Sequence, residues 1–401
     1  MSQNQTNLFI RLGIINLCIV AAFGVLMRYK IGFEFPYFNQ RYLLHAHSHF
    51  AFAGWVSHIL FTLMVVFLQY QGIKTAPFSR LIWANLLCAY GMIISFAIQG
   101  YGAVSITFST LSILVSYVFS YLFFIKLREV PDDHPSKNWF KASLLFNVLS
   151  SLGTFYLAYM MASKHINQHG YLASVYFYLH FQYSGWFFFG IMGLLMSKLL
   201  ELPTFRYDPK IFIGFFTACI PAYFLSVLWA KLPLYLYFFP VAAVILQLWG
   251  LQRFLYLLKS QYEIIKSHWS SYVKLLLGLS LMSLIIKLAL QAGSIFPEIS
   301  KLAYGFRSIV IAYLHLVLLG LTTLFLMGYM LLSGYIPHIK KALWALVLFC
   351  IGVFANELVL MVQGVASFGY ILIPYLNEIL LGVSLFMLLS LILLLFSFKR
   401  S

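Results

Sequence analysis

Twelve apolar runs dominate the sequence: 8–27, 42–69, 81–100, 104–126, 139–162, 172–197, 210–229, 233–256, 272–292, 307–333, 342–361 and 372–397. Crossing the hydrocarbon of a bilayer takes about 20 predominantly apolar residues. Each run has roughly that length, and only short polar stretches separate them. Of the 401 residues, 62% are hydrophobic and 9% are charged. Water-soluble domains carry about 25% charged residues. This balance excludes a soluble enzyme, a disordered chain and a disulfide scaffold. Lipid cannot satisfy an open backbone, and the ten-residue alternation of a barrel strand is absent, so the runs are expected to be helices. The expected fold is an all-α polytopic membrane protein of about twelve spans, with residues 1–401 forming one transmembrane domain.

The distribution of charge gives an orientation. Of the 26 Lys and Arg, 17 lie in or beside the loops after even-numbered spans and 7 on the other side; Arg11 and Lys287 lie within spans. The positive-inside rule then puts the even loops and both termini in the cytoplasm. The net charge of +16 reflects that collection of basic residues on one face, so nucleic acid is not an expected partner. The N-terminal MSQNQTNLF lacks a basic n-region and a small-residue cleavage site, and span 1 is expected to be retained. Cys18, Cys88, Cys219 and Cys350 all fall in apolar runs and read as small core residues.

With that orientation the histidines have a depth. Span 2 opens RYLLHAHSHFAFAGW, span 6 contains YLHFQYSGW and span 10 contains AYLHLVLLG. At 1.5 Å per residue, His49, His180 and His315 lie about 10–13 Å below the outer ends of their helices. Three separate spans thus carry imidazoles at one depth, as a shared cofactor would require. The competing reading is that each histidine bonds a neighbouring helix. At about 100° per residue, His45 and His49 share a face and His47 points away. The three cannot ligate one ion on a regular helix. His58, mid-span, reads as structural; His165 and His169 read as solvated in an outer loop.

Other intramembrane polar residues fall in the same outer half: Lys287, Asn356, Glu357, Gln363, Asn377 and Glu378, with Gln182 and Tyr183 beside His180. Ionisable residues in a membrane are functional candidates. The structural alternative is an ion pair of Lys287 with Glu357 or Glu378. No Walker A motif, dinucleotide-binding glycine pattern, GxSxG or HExxH is present. Gly185, Gly190 and Gly193 read as helix-packing positions.

Twelve spans, cytoplasmic ends, and histidines on spans 2, 6 and 10 near the outer face resemble the haem-copper oxidase subunit I superfamily, which includes cytochrome oxidases and nitric oxide reductases. In that superfamily a His on helix 2 and one on helix 10 ligate a low-spin haem. Helix 6 gives one copper or non-haem iron ligand, helix 7 a His-His pair, and a second helix 10 His holds the active-site haem. Arg41 followed by His45 resembles the entry to helix 2. His315 resembles the helix 10 low-spin ligand, and Tyr313 stands where the superfamily has its second His. His180 is similar in position to the helix 6 metal ligand. Span 7, IFIGFFTACIPAYFLSVLWA, contains no histidine, so the resemblance extends to the low-spin haem and not to the binuclear centre. More weakly, the HAH at the start of span 2 is similar to haem- and copper-containing membrane proteins of the nitric-oxide response.

Both resemblances imply haem b. His315 is the expected axial ligand, opposite one of His45, His47 and His49. Of these, His49 fits the depth best and His45 the entry motif. His180, with Gln182 and Tyr183, is expected to line a secondary metal or ligand site, copper being the candidate metal. Tyr313, Lys287, Glu357 and Glu378 complete the polar candidates. The implied function is electron transfer or NO/O2-related respiratory chemistry of oxidoreductase type, in a bacterial inner membrane. Lipid and other respiratory subunits are the implied partners. The alternatives are a non-haem copper or zinc site held by His45, His49, His180 and His315, or a proton-coupled transporter. A transporter would bring inverted repeats, and none is evident.

Overall fold

The computed structural model describes residues 1–230 and 232–398. Lys231, Lys399 and Arg400 of the charge count lie outside the described residues. Among the described residues there is no strand. Twelve helical segments are long and apolar enough to cross a membrane. They are span 1 (Gln3–Gly32), span 2 (Gln40–Tyr70), span 3 (Phe78–Gln99), span 4 (Ala103–Glu129), span 5 (Ser136–Ser163) and span 6 (Gln168–Leu200). Span 7 (Pro209–Ala230), span 8 (Leu234–Ser260), span 9 (Ser271–Gly293), span 10 (Arg307–Leu332), span 11 (Lys340–Phe368) and span 12 (Leu376–Leu395) follow. The chain is an all-α integral membrane protein, as its hydropathy requires. Only the two ends of span 1 and the end of span 11 depart by more than about four residues from the apolar runs. The four cysteines are free.

The chain divides into two compact units, Met1–Glu129 with Thr323–Ser401, and Val130–Thr322. In the first, span 12 packs against spans 1 and 11, and span 3 packs against span 4 and the opening half of span 2. In the second, span 5 packs along the whole of span 6, and span 7 lies against span 8. Spans 2 and 6 are the most deeply buried of the twelve, and span 4 the least. The histidine-bearing spans 2 and 6 are therefore core elements. Phe61 stacks on Phe119 at 3.9 Å in the first unit, and Trp186 is fully buried in the second.

Spans 2, 6 and 10 share a departure from the α-helix. Each widens to a π-helix, at Ala51–Ser57, Phe181–Phe187 and Leu316–Thr323. Each π-segment begins one or two residues after a histidine: His49, His180 and His315. Five residues after each of these histidines stands a glycine, Gly54, Gly185 and Gly320. The motif recurs on every fourth span. Because all three spans are even-numbered, it is a parallel repeat and not the inverted repeat of a transporter.

A π-helix bonds i to i+5, and such turns are rare outside functional sites. Neighbouring spans supply donors to carbonyls within it. The span before gives Asn16 Nδ2 to Gly54 O, Ser143 Oγ to Trp186 O (2.8 Å) and Ser280 Oγ to Leu321 O (2.7 Å). The span after gives Asn85 Nδ2 to Ala53 O (3.0 Å) and Cys219 Sγ to Ser184 O (3.7 Å). Side-chain donors of this kind are how a membrane helix tolerates an irregular turn. Asn16 also accepts from Tyr90 Oη at 2.6 Å. Asn16→Leu removes the partner of both groups. The expected loss is about 1–3 kcal/mol for each stranded group, read as a lower midpoint of unfolding in detergent.

Candidate functional site

Each group of candidate residues is positioned by one unit. In the first unit, Asn39 caps span 2, its side chain accepting from the backbone N–H of Arg41 (2.8 Å) and Tyr42 (3.3 Å). This sets the helical phase of the three histidines. His47 Nδ1 meets Val20 O of span 1 at 3.0 Å. His49 turns the other way. It stacks on Phe96 of span 3 at 4.3 Å and 11°, and its Nε2 meets Tyr101 Oη at 3.1 Å. His45 shares that face, with its ring 4.6 Å from that of Tyr101 and 6.2 Å from that of Phe96. Among the described residues the His45 ring makes these two ring contacts and no hydrogen bond. The helical geometry that sets His45 and His49 against His47 is thus realised. Tyr101 and Phe96 were not legible as partners, because they lie at the junction of two other spans.

His58, further along span 2, is fully buried; its Nε2 donates to Phe9 O at 2.8 Å. This is the interhelical bond expected of a structural histidine.

In the second unit, His180 is fully buried and its Nε2 meets Cys219 O of span 7 at 2.8 Å. A carbonyl can only accept, so Nε2 carries the proton and Nδ1 a lone pair. That Nδ1 has no partner among the described residues. Gln182 turns away towards span 5, its Nε2 donating to Ser150 Oγ (2.8 Å) and Asn147 Oδ1 (3.2 Å). It does not share a site with His180. Tyr183 does stay near: its ring lies 6.3 Å from that of His180, and it shares side-chain hydrogen bonds with Ser226 and Tyr313. Tyr313 therefore joins a tyrosine cluster. Tyr304, in the short helix Pro297–Gly305 between spans 9 and 10, donates to Leu225 O at 2.6 Å and meets Tyr176 edge-on at 5.8 Å. Burial, then the nearby Tyr183 and Tyr176, push the Tyr304 phenol well above its usual range, so it stays a neutral donor.

His315 closes the first, α-helical part of span 10, and its Nδ1 donates to Ile311 O at 2.8 Å. This bond fixes the tautomer with the lone pair on Nε2. Lys287 of span 9 is buried and bonds Gln291 Oε1 at 3.4 Å. Glu357 accepts from its neighbour Asn356 at 3.1 Å. Glu378 sits exposed in the first turn of span 12, where the helix dipole favours a carboxylate. None of the ion pairs among the described residues includes Lys287, Glu357 or Glu378. Also among the described residues, no group of three or more His, Cys, Asp or Glu is placed to hold a metal ion. His165 and His169 are exposed, as expected.

The fold defines a polytopic all-α membrane protein whose two most buried spans, 2 and 6, carry the fully buried histidines His58 and His180. No protein-family profile and no curated protein sequence matches the chain.

Proposed function

We propose that this protein binds a b-type haem in the outer half of the membrane and carries electrons through it, as an oxidoreductase-type component of a bacterial inner membrane. The observation that carries this reading is the histidine at the mouth of each π-segment in spans 2, 6 and 10. Irregular helical turns concentrate at functional sites, and intramembrane histidines at cofactor and proton sites.

The donor chemistry of the histidines supports the group. Metal-bound histidines characteristically donate their other ring nitrogen to a carbonyl or carboxylate. His315 does so through Nδ1, which supports it as an axial ligand by Nε2. Of the span 2 histidines, His45 is favoured: His49 has its Nε2 on Tyr101, and His47 is turned to span 1, away from the face that His45 and His49 share. His49 and Tyr101 then hold the flank of His45. Ligation by two imidazoles needs no cluster of three protein ligands, unlike the copper or zinc alternative. Bound between two imidazoles, haem is low-spin and supplies one-electron transfer. His180 lines a secondary site for a small ligand.

The test is a reduced-minus-oxidised spectrum of the detergent-purified protein with a pyridine haemochrome assay. The expected result is a sharp alpha band and about one haem b per chain. Protein made in a haem-sufficient host yet devoid of haem would end the reading. Within span 2, His45→Ala is expected to lose the haem. His49→Ala is expected to keep it with affinity lowered about 10–100-fold, the usual cost of an outer-shell partner. The reverse order would reassign the ligand to His49.

A further inference from the structure

The link between spans 8 and 9 is built as a platform. It contains the helix Tyr262–His268. Lys274 Nζ donates to Lys266 O at 3.1 Å, and Ser267 Oγ donates to Ile264 O at 2.9 Å. His268 Nδ1 meets the same Ile264 O at 2.9 Å, and the N–H of buried Trp269 returns to Ile265 O at 2.9 Å. These bonds tie the helix to itself and to the start of span 9. Its two sides differ: Ile264 and Ile265 are half-buried, whereas Tyr262, Glu263, Lys266 and Ser267 are exposed.

The exposed side is cationic. From Arg253 to Lys274 the chain has four Lys or Arg and one acid, Glu263. Arg253 is neutralised by Asp208 at 2.6 Å, and Lys266 lies 4.0 Å from Glu263, the outer limit of an ion pair. None of the ion pairs among the described residues includes Lys259 or Lys274. Lys259 ends span 8 and Lys274 opens span 9, so both stand at headgroup level. On the membrane side of these cations Leu255, Tyr256 and Leu275 are exposed. A soluble polyanion would leave those apolar residues uncovered. A zwitterionic lipid would cover them and bring the ammoniums no net counter-charge.

We propose that the surface carrying Lys259, Lys266 and Lys274 binds anionic phospholipids of the leaflet it faces, on the side that the positive-inside rule assigns to the cytoplasm. The ammoniums meet headgroup phosphates, and the acyl chains lie along Leu255, Tyr256 and Leu275. No single lipid has to touch all three lysines. Each juxtamembrane lysine is worth about fivefold in such affinity. The surface lies wholly within Val130–Thr322 and stands whether or not the protein holds haem.

The test is lipid retention by the full-length protein, measured by native mass spectrometry in a neutral detergent. Phosphatidylglycerol and phosphatidylcholine with the same acyl chains are supplied in equal amounts. Phosphatidylglycerol is expected to be retained at least about tenfold better, with a preference that shrinks as salt screens the charges. Replacing Lys259, Lys266 and Lys274 together by Gln should lower phosphatidylglycerol affinity on the order of 100-fold. Lys259→Gln alone should lower it about fivefold, and it serves if the triple variant does not fold. The control is Lys340→Gln with Lys341→Gln, at the start of span 11, which should leave the preference unchanged. Equal retention of the two lipids overturns the proposal, as does a preference that survives in the triple variant or in Lys259→Gln. A control that loses as much as the triple variant reduces the lysines to a topology signal and overturns it too. Displacement of the lipid by millimolar inorganic phosphate would make the surface a site for soluble anions, with the same consequence.

Discussion

His315→Ala is expected to remove the alpha band of the reduced protein and to bring the haem-to-protein ratio close to zero. His315 ends the α-helical part of span 10, and its Nδ1 bond to Ile311 O orients the imidazole. Truncation to alanine takes away the imidazole through which that turn would coordinate iron. A tightly held group adds stability by mass action, about 4 kcal/mol when present at a thousand times its dissociation constant. The variant should therefore also unfold at a lower temperature than the loaded wild type, and at nearly the same temperature as haem-free wild type. His315→Met separates ligation from folding. A thioether keeps an axial ligand in place and raises the reduction potential, within the range of about 0.8 V that axial ligands span. The measurement is a redox titration of the alpha band. A His315→Ala protein with an unchanged spectrum would remove His315 from the ligand set, whatever else the chain binds.

The twelve spans were legible because one physical quantity, the length of apolar sequence that lipid demands, fixes them. The end of span 11 was harder to read. Gln363 and Ser367 lower the hydropathy there, yet the helix continues to Phe368 with Ser367 Oγ bonded to Gln363 O at 2.8 Å. The division of the span 2 histidines into two faces followed from helical rotation alone, and His47 on Val20 O against His49 on Phe96 realises it. The π-segments were not legible from composition. A wider turn is set by which neighbouring side chains reach its carbonyls, and Asn16, Asn85, Ser143 and Ser280 come from other spans. One sequence signal did exist, the histidine followed five residues later by glycine in spans 2, 6 and 10. It escapes a search for inverted repeats because its copies run in the same direction. The role of Cys219 was invisible for a different reason: it holds His180 through its backbone carbonyl, which no side-chain pattern reports.

The repeated glycine leads to the second large effect. At Gly185 span 6 lies directly against the Phe146 side chain of span 5. A Cβ at this position would lie 2.5 Å from Phe146 Cβ and 2.9 Å from its Cγ, against an ordinary carbon contact of about 3.5–4.0 Å. Phe146 cannot give way easily, because it is fully buried and stacked on Phe181 at 5.8 Å and 17°. Gly185→Ala should therefore cost about 1–3 kcal/mol through overpacking. It should also disturb the π-segment that starts beside His180. Gly278 of span 9 supplies the control. A Cβ there meets nothing within 4 Å, so Gly278→Ala should be neutral or stabilise by about 0.5–1 kcal/mol through its better helix propensity. Denaturant unfolding of the two variants in the same detergent should give shifts of opposite sign. Equal tolerance of both would mean that spans 5 and 6 are not packed through Gly185.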